Sequence, residues 1–274
     1  RRVLFRSARL MNDRFALCLP REEFDEKRVA DSIKELQREF SGNSFHLHTY
    51  MGVYEIRDRD EAVSIMVDKA NIAADTIKNN YDCCVAYYDE HLLEISIEQR
   101  RLLGEFEPAL QNDEFVMYLQ PQVKRDGAAK GAEALVRWVH PSRGILTPYA
   151  FIDILENAGL IYKLDLYIWE KAAQKLAEWK EKGYGSYHIS VNISTKDFYI
   201  IDIYETFTGL INKYGIAASN LHLEITETTL MTDFEKNMNI IHKLQDVGFR
   251  VEIDDFGSGY SSLNMLKDIS ADVL

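Results

Sequence analysis

Four short apolar segments of this sequence each carry an oxygen-bearing side chain out of phase with their aliphatic residues. In HISVNIS, Ile189, Val191 and Ile193 take one face of an extended chain and Asn192 the other. In LHLEIT, Leu221, Leu223 and Ile225 oppose Glu224, and in RVEIDD, Val251 and Ile253 oppose Asp254. In EALVRW, Glu133 and Arg137 share a face. A single Glu in a strand is ordinarily a solvated surface residue, but the same pattern on successive segments points to a shared site. Carboxylate and amide oxygens without His or Cys suit hard cations, Mg2+ or Mn2+, rather than zinc. Asp255 adds a carboxylate beside Asp254 that could hold a second ion or orient a water.

The elements that must position these residues alternate along the chain. The segment EFVMYLQPQV, a turn at Asp126 and Gly127, and GAEALVRWVH read as an antiparallel hairpin. Helix and strand then succeed one another. Thr147 and Pro148 open a helix, Gly159 interrupts it, and an amphipathic run from Lys163 to Lys182 stops at Gly183. Strand SYHISVNIS, helix 202–214, strand LHLEITET, helix 233–246, strand RVEIDDF and helix 261–268 follow. Such repetition predicts a parallel sheet covered by helices, an incomplete TIM-like (β/α) barrel with an antiparallel first strand pair. Site residues in that architecture gather at the C-terminal ends of the strands. Glu133 lies early in its strand, which is expected of a strand running against the others.

Composition limits the partners. Over 274 residues the formal net charge is −12 and 46% of residues are hydrophobic, so no broad basic surface for nucleic acid or anionic membrane is expected. No run reaches the roughly 18 apolar residues of a membrane span, and a cytoplasmic location is expected, with an upstream anchor left open. Cys18, Cys83 and Cys84 lack the C-x-x-C spacing of a zinc site. His46 and His48 share a strand face but have no third ligand near them in sequence.

The stretch 113–274 resembles an EAL-type cyclic-di-GMP phosphodiesterase domain, through YLQPQ, EALVRW, SVNIS, LEITET and IDDFGSGYSSL in order. The resemblance implies that Glu133, Asn192, Glu224 and Asp254 ligate metal, with Asp255 assisting a second ion or the attacking water. It also implies that Gln120 and Arg137 contact the nucleotide. Glu227 and the loop bearing Gly257, Gly259 and Ser261 would couple Asp255 to the contacts of a homodimer. Leu135 and Pro141 read as packing. The implied reaction is hydrolysis of cyclic-di-GMP to linear pGpG with two Mg2+ or Mn2+ ions; the alternative is a module that binds the nucleotide without cleaving it. In the family a lysine and a glutamate on later strands complete the site; the sequence ends before either, and Lys267, in a predicted helix, is not that lysine. The 274 residues alone are therefore expected to hydrolyse the nucleotide poorly.

Upstream, 8–89 reads as the latter half of an α+β domain: strand RFALCLP, a helix spaced through Val29, Ile33 and Leu36, strand FHLHTYMGVYEI and helix 60–79. It resembles the C-terminal part of a GGDEF domain whose signature loop here is Met11, Asn12, Asp13, Arg14, Phe15. Both glycines are absent and Arg14 stands at the acidic position, so no cyclase activity is expected. Residues 1–7, RRVLFRS, read as a translated sequencing adapter. Residues 90–112 read as a connecting helix with an apolar stripe at Leu93, Ile97 and Leu102, suited to a partner or a second copy.

Overall fold

The computed structural model describes residues 6–11, 13–40, 48–78, 83–123, 127 and 129–254. The chain divides into two compact units, Arg1–Arg100 and Arg101–Leu274, and the division falls inside one helix.

In the first unit, β1 (Arg6–Met11) and β2 (Arg14–Cys18) form an antiparallel hairpin, with Met11 opposite Arg14. The signature loop of the GGDEF resemblance is thus a hairpin tip, and Arg6 and Ser7, set aside as adapter, pair with Cys18 and Leu17. Helix α1 (Glu26–Phe40), β3 (Met51–Val53), α2 (Val63–Asp75) and β4 (Val85–Tyr87) follow. β3 and β4 are parallel, as their connection through α2 requires. The expected strand through 45–56 is therefore three residues long where it pairs, and its beginning, with His46, lies outside the described residues. Arg14 reaches Asp75 at 3.4 Å on the surface, and none of the three cysteines is in a disulfide among the described residues.

Helix α3 (Glu90–Gln111) carries the expected stripe, but its residues fare differently: Leu93 and Ile97 are 36% and 57% exposed, whereas Leu102 is buried. In the second unit Leu102, Phe106 and Ala109 of α3 enter a core shared with Phe115, Trp138 and Phe151. The rings of Phe106, Trp138 and Phe151 all meet Phe115, at centroid distances of 5.7, 4.8 and 5.7 Å.

The second unit is built on a six-stranded sheet of order β10-β9-β8-β6-β5, with β7 also on β6. Its strands are β5 (Phe115–Val123), β6 (Ala129–His140), β7 (Gly144–Leu146), β8 (His188–Ile193), β9 (Leu221–Thr226) and β10 (Arg250–Asp254). β5 and β6 are the predicted antiparallel pair, and Gly127 between them has φ 81°. One expectation is corrected here. β6 runs parallel to β8, so β5 and the short β7, not β6, oppose the main direction. Glu133 sits early in β6 because only Gly131, Ala132 and Glu133 pair with β8, while the rest of the strand overruns to pair with β5 and β7.

Helices α4 (Ile152–Ala158), α5 (Ile161–Glu181), α6 (Asp197–Ile200), α7 (Ile203–Tyr214), α8 (Glu227–Thr232) and α9 (Phe234–Val247) fill the connections. The Thr147–Pro148 start is a 3-10 turn over Pro148–Ala150 that leads into α4. Helix α5 buries Leu164, Ile168, Trp169, Ala172, Ala173 and Leu176, the i, i+4 stripe that a helix needs to lie on a sheet. Asp202 caps α7 by accepting the Glu205 N–H at 3.0 Å, and Gly215, at φ 62°, ends it. The expected strand LHLEITET stops at Thr226, whose hydroxyl accepts the Thr229 N–H and starts α8. Among the described residues no helix is long and apolar enough to cross a membrane.

Candidate metal centre

Strand alternation divides the sheet sharply. On one face Ala132, Ala134 and Trp138 of β6, Ile189, Val191 and Ile193 of β8, Leu221, Leu223 and Ile225 of β9, and Val251 and Ile253 of β10 are buried in the core. The other face carries Gln120 and Gln122 of β5, Glu133 and Arg137 of β6, Asn192 of β8, Glu224 of β9 and Asp254 of β10, as parity predicted. Leu135 belongs to this face as well and is only half-buried. The apolar layer of β6 is made by its even-numbered neighbours.

The oxygen-bearing residues come together in register. Gln120 stands opposite Glu133, and Asn192 is paired with Glu224. Asn192 Nδ2 donates to Glu133 Oε1 at 3.3 Å, and Gln122 Nε2 donates to Glu224 Oε1 at 3.3 Å. Asp254 ends β10 beside Thr226, two residues beyond the level of Glu224. The strand that carries Asn192 is tied down from behind, because Trp169 of α5 donates its indole N–H to the Asn192 carbonyl at 2.9 Å. Arg137 donates to the Val136 carbonyl at 2.7 Å and lies 5.6 Å from the Tyr118 ring centroid, which fixes the guanidinium over the same face.

Electrostatics mark the centre as one where carboxylates are buried side by side. Glu224 is 6% exposed, and burial, with the Glu133 carboxylate next, pushes its pKa up to about 8. Among the described residues neither Glu133 nor Glu224 is ion-paired to Lys or Arg. A divalent cation would supply the missing charge and hold both carboxylates ionised, so the donor set fits Mg2+ or Mn2+. Glu227 is buried in the first turn of α8, directly after β9. Asp255, Gly257, Gly259 and Ser261 lie outside the described residues, as do helix 261–268 and Lys267.

Interleaved with this row is a group that the sequence reading passed over: His188 and Ser190 on the Asn192 face, His222 on the Glu224 face and Glu252 on the Asp254 face. Ser190, His222 and Glu252 each lie two residues before a candidate ligand and His188 lies four before one, so the alternation used for Asn192 and Glu224 contained the signal. Although burial alone would raise it, His222 holds the Glu252 carboxyl below the usual range. Burial, with His222 alongside, lowers His188 to about 4.

An α/β sheet, parallel but for β5 and β7, backed by helices and bearing carboxylate and amide groups near strand ends, defines a TIM-like barrel architecture. The EAL domain family matches residues 104–274, and the chain belongs to it. It is 30% identical over 277 residues to the bifunctional diguanylate cyclase/cyclic di-GMP phosphodiesterase MucR of Pseudomonas aeruginosa, across 97% of this chain and 40% of that protein. It is 32% identical over 166 residues to the cyclic di-GMP phosphodiesterase PdeR of Escherichia coli, across 61% of this chain and 25% of that protein. Among solved structures, the PaMucR phosphodiesterase in complex with c-di-GMP matches with TM-score 0.60 and 34% identity, covering 62% of this chain and 70% of that one. The S helix–GGDEF–EAL segment of Vibrio cholerae LapD covers 96% of this chain at TM-score 0.58 and 17% identity, a likeness of fold. The chain spans well under half the length of these curated relatives.

Proposed function

We propose that the protein to which these residues belong hydrolyses cyclic-di-GMP to linear pGpG, using two Mg2+ or Mn2+ ions. The observation that carries this reading is the row Glu133, Asn192, Glu224 and Asp254: acidic and amide oxygens gathered on one sheet face, Asn192 level with Glu224 and bonded to Glu133, with burial and then the Glu133 carboxylate pushing Glu224 up to about 8. Named relatives in the same family act on this nucleotide, which supports the substrate.

In this reading the four residues hold the ions, Asp255 takes part in holding the second ion or orienting the water, and Gln120 and Arg137 contact the nucleotide. Ions bound here would neutralise the phosphodiester and lower the pKa of a bound water. The chain's own share is positional. Asn192 keeps Glu133 turned toward Glu224, Trp169 fixes the backbone of Asn192, and the Arg137 guanidinium is set for an anion before one arrives. A water oxygen bonds to phosphorus, the ribose oxygen leaves with a proton, and one ester of the ring opens. Glu227 and the glycine-containing loop after Asp255 would link this centre to a homodimer contact.

The first unit is proposed as the end of a degenerate GGDEF-like domain that makes no cyclic-di-GMP, given Arg14, with 90–112 as the connecting helix and a cytoplasmic setting. The test is pGpG formation by the full-length protein. Mg2+ or Mn2+ should support it and Ca2+, larger and a weaker activator of water, should inhibit it. Activity with zinc alone would overturn the oxygen-ligand assignment, and tight nucleotide binding without pGpG would replace the enzyme by a binding module.

A further inference from the structure

A second polar cluster interleaves with the oxygen row on the same sheet face. Ser190 pairs in register with His222, and Glu224 pairs with Glu252. His188 and His222 each lie two residues before one of those partners, so His188, His222 and Glu252 step diagonally across three adjacent parallel strands on one face. The two imidazoles stack with centroids 3.8 Å apart and planes 4° apart. His222 Nδ1 is 2.6 Å from Glu252 Oε1, and Ser190 Oγ donates to Glu252 Oε2 at 3.2 Å. His188 Nε2 is 2.7 Å from Gln122 Oε1.

Space for this arrangement is made by the neighbouring strand. Gly131 is the register partner of His188, and a Cβ at Gly131 would come within 2.4 Å of the imidazole ring. Any side chain there would expel the ring.

We propose that His188, His222 and Glu252 form a second metal site, separate in donor chemistry from the oxygen row and selective for a borderline ion such as Zn2+ or Co2+. Two imidazole nitrogens and one carboxylate suit such ions, whereas Mg2+ and Mn2+ favour the all-oxygen row. One ligand atom from each residue lies within 4.8 Å of the others, wider than the roughly 3.3 Å between ligands around a tetrahedral zinc, so an ion draws them together by side-chain rotation. Parallel ring planes stacked at 3.8 Å share no point, so one imidazole turns out of the stack before both rings can direct a nitrogen at the same ion. Ser190 steadies the carboxylate and the Gln122 amide oxygen steadies His188, the outer support that metal ligands ordinarily have. The competing state is a hydrogen-bonded His222–Glu252 pair that needs no ion. The two states differ in their response to metal, and neither depends on the phosphodiesterase reading.

The experiment titrates the tag-free, chelator-stripped 274-residue chain with Co2+ in excess Mg2+, which occupies the oxygen row. One equivalent of Co2+ should bind with a visible d–d band, Zn2+ should displace it, and X-ray absorption of the zinc form should show imidazole scattering. His188→Asn and His222→Asn should each weaken binding by about a hundredfold, at the upper end of what even outer-shell changes cost. Glu133→Gln should leave it unchanged. The proposal is overturned by failure to bind Co2+, by unchanged affinity in both histidine variants, or by equal loss in Glu133→Gln. Should a histidine variant fail to fold by circular dichroism, an oxygen-only first shell in the unaltered chain overturns it independently.

Discussion

The two faces of the second unit's sheet are made by the same strands and differ in almost every physical respect. The helix-covered face is a run of Ile, Val and Leu at or near complete burial, closed by Trp138, Trp169 and Phe207. The opposite face carries carboxylates, amides and imidazoles held by hydrogen bonds of 2.6–3.4 Å. One face supplies stability; the other holds groups whose burial costs stability until an ion or ligand arrives. Alternation lets both properties share a strand, so either can be perturbed with little effect on the other.

That separation can be broken most forcefully from the polar side. Glu133→Ala or Asn192→Ala in the full-length protein should lower cyclic-di-GMP turnover by about 10³-fold, equivalent to about 4 kcal/mol of transition-state stabilisation. Far-UV circular dichroism should be unchanged, since neither side chain belongs to the apolar layer; near-normal rates in either variant would refute the centre. From the apolar side, Ile189→Ala removes a fully buried side chain and should cost about 3 kcal/mol in denaturant unfolding. A loss below about 0.5 kcal/mol would show that this face is not the packed core.

A third perturbation lies between helices α5 and α6. Burial, with the Asp197 carboxylate beside it, raises Asp165 well above the ordinary carboxylate range, and burial raises Asp197. Because the folded-state values are raised, the neutral forms contribute stability that is fully present below about pH 4, the unfolded carboxylate range. That contribution is lost as pH rises through the folded values. Asp165→Asn should therefore flatten the decline of thermal midpoint between pH 4 and neutrality; a slope identical to that of the unaltered chain would contradict the assignment. The smallest effect is expected at Val139, which shares the parity of Glu133 but lies beyond the pairing with β8 and is 42% exposed. Val139→Thr should change stability by less than about 0.5 kcal/mol and leave turnover intact, and a larger loss would extend the functional face along β6.

Much of this was legible without coordinates. Ile189, Val191 and Ile193 against Asn192, and Leu221, Leu223 and Ile225 against Glu224, announce the two faces, because a strand's side chains alternate whatever its surroundings. The hairpin before Glu133 and the helix stops at Gly159 and Gly183 follow from local backbone chemistry, and both glycines adopt the left-handed conformation, at φ 69° and 87°. Of the strand expected through 45–56, the described residues pair over Met51–Val53, against the three residues of β4.

Strand direction and register were decided only by the tertiary structure. Nothing within EALVRW says that β6 lies parallel to β8, or that Glu133 stands level with Ser190, because a register is a relation between distant segments. The same holds for the histidines. Their parity was written in HISVNIS and LHLEIT, but that His188, His222 and Glu252 meet, in space left by Gly131, depends on how strands separated by whole helices are stacked beside one another. Sequence by itself determined which residues face together on each strand, since that is a property of the extended backbone. Which of those residues touch was settled by the packing of α5, α7 and α9 onto the far side of the sheet, which sets the height of each strand.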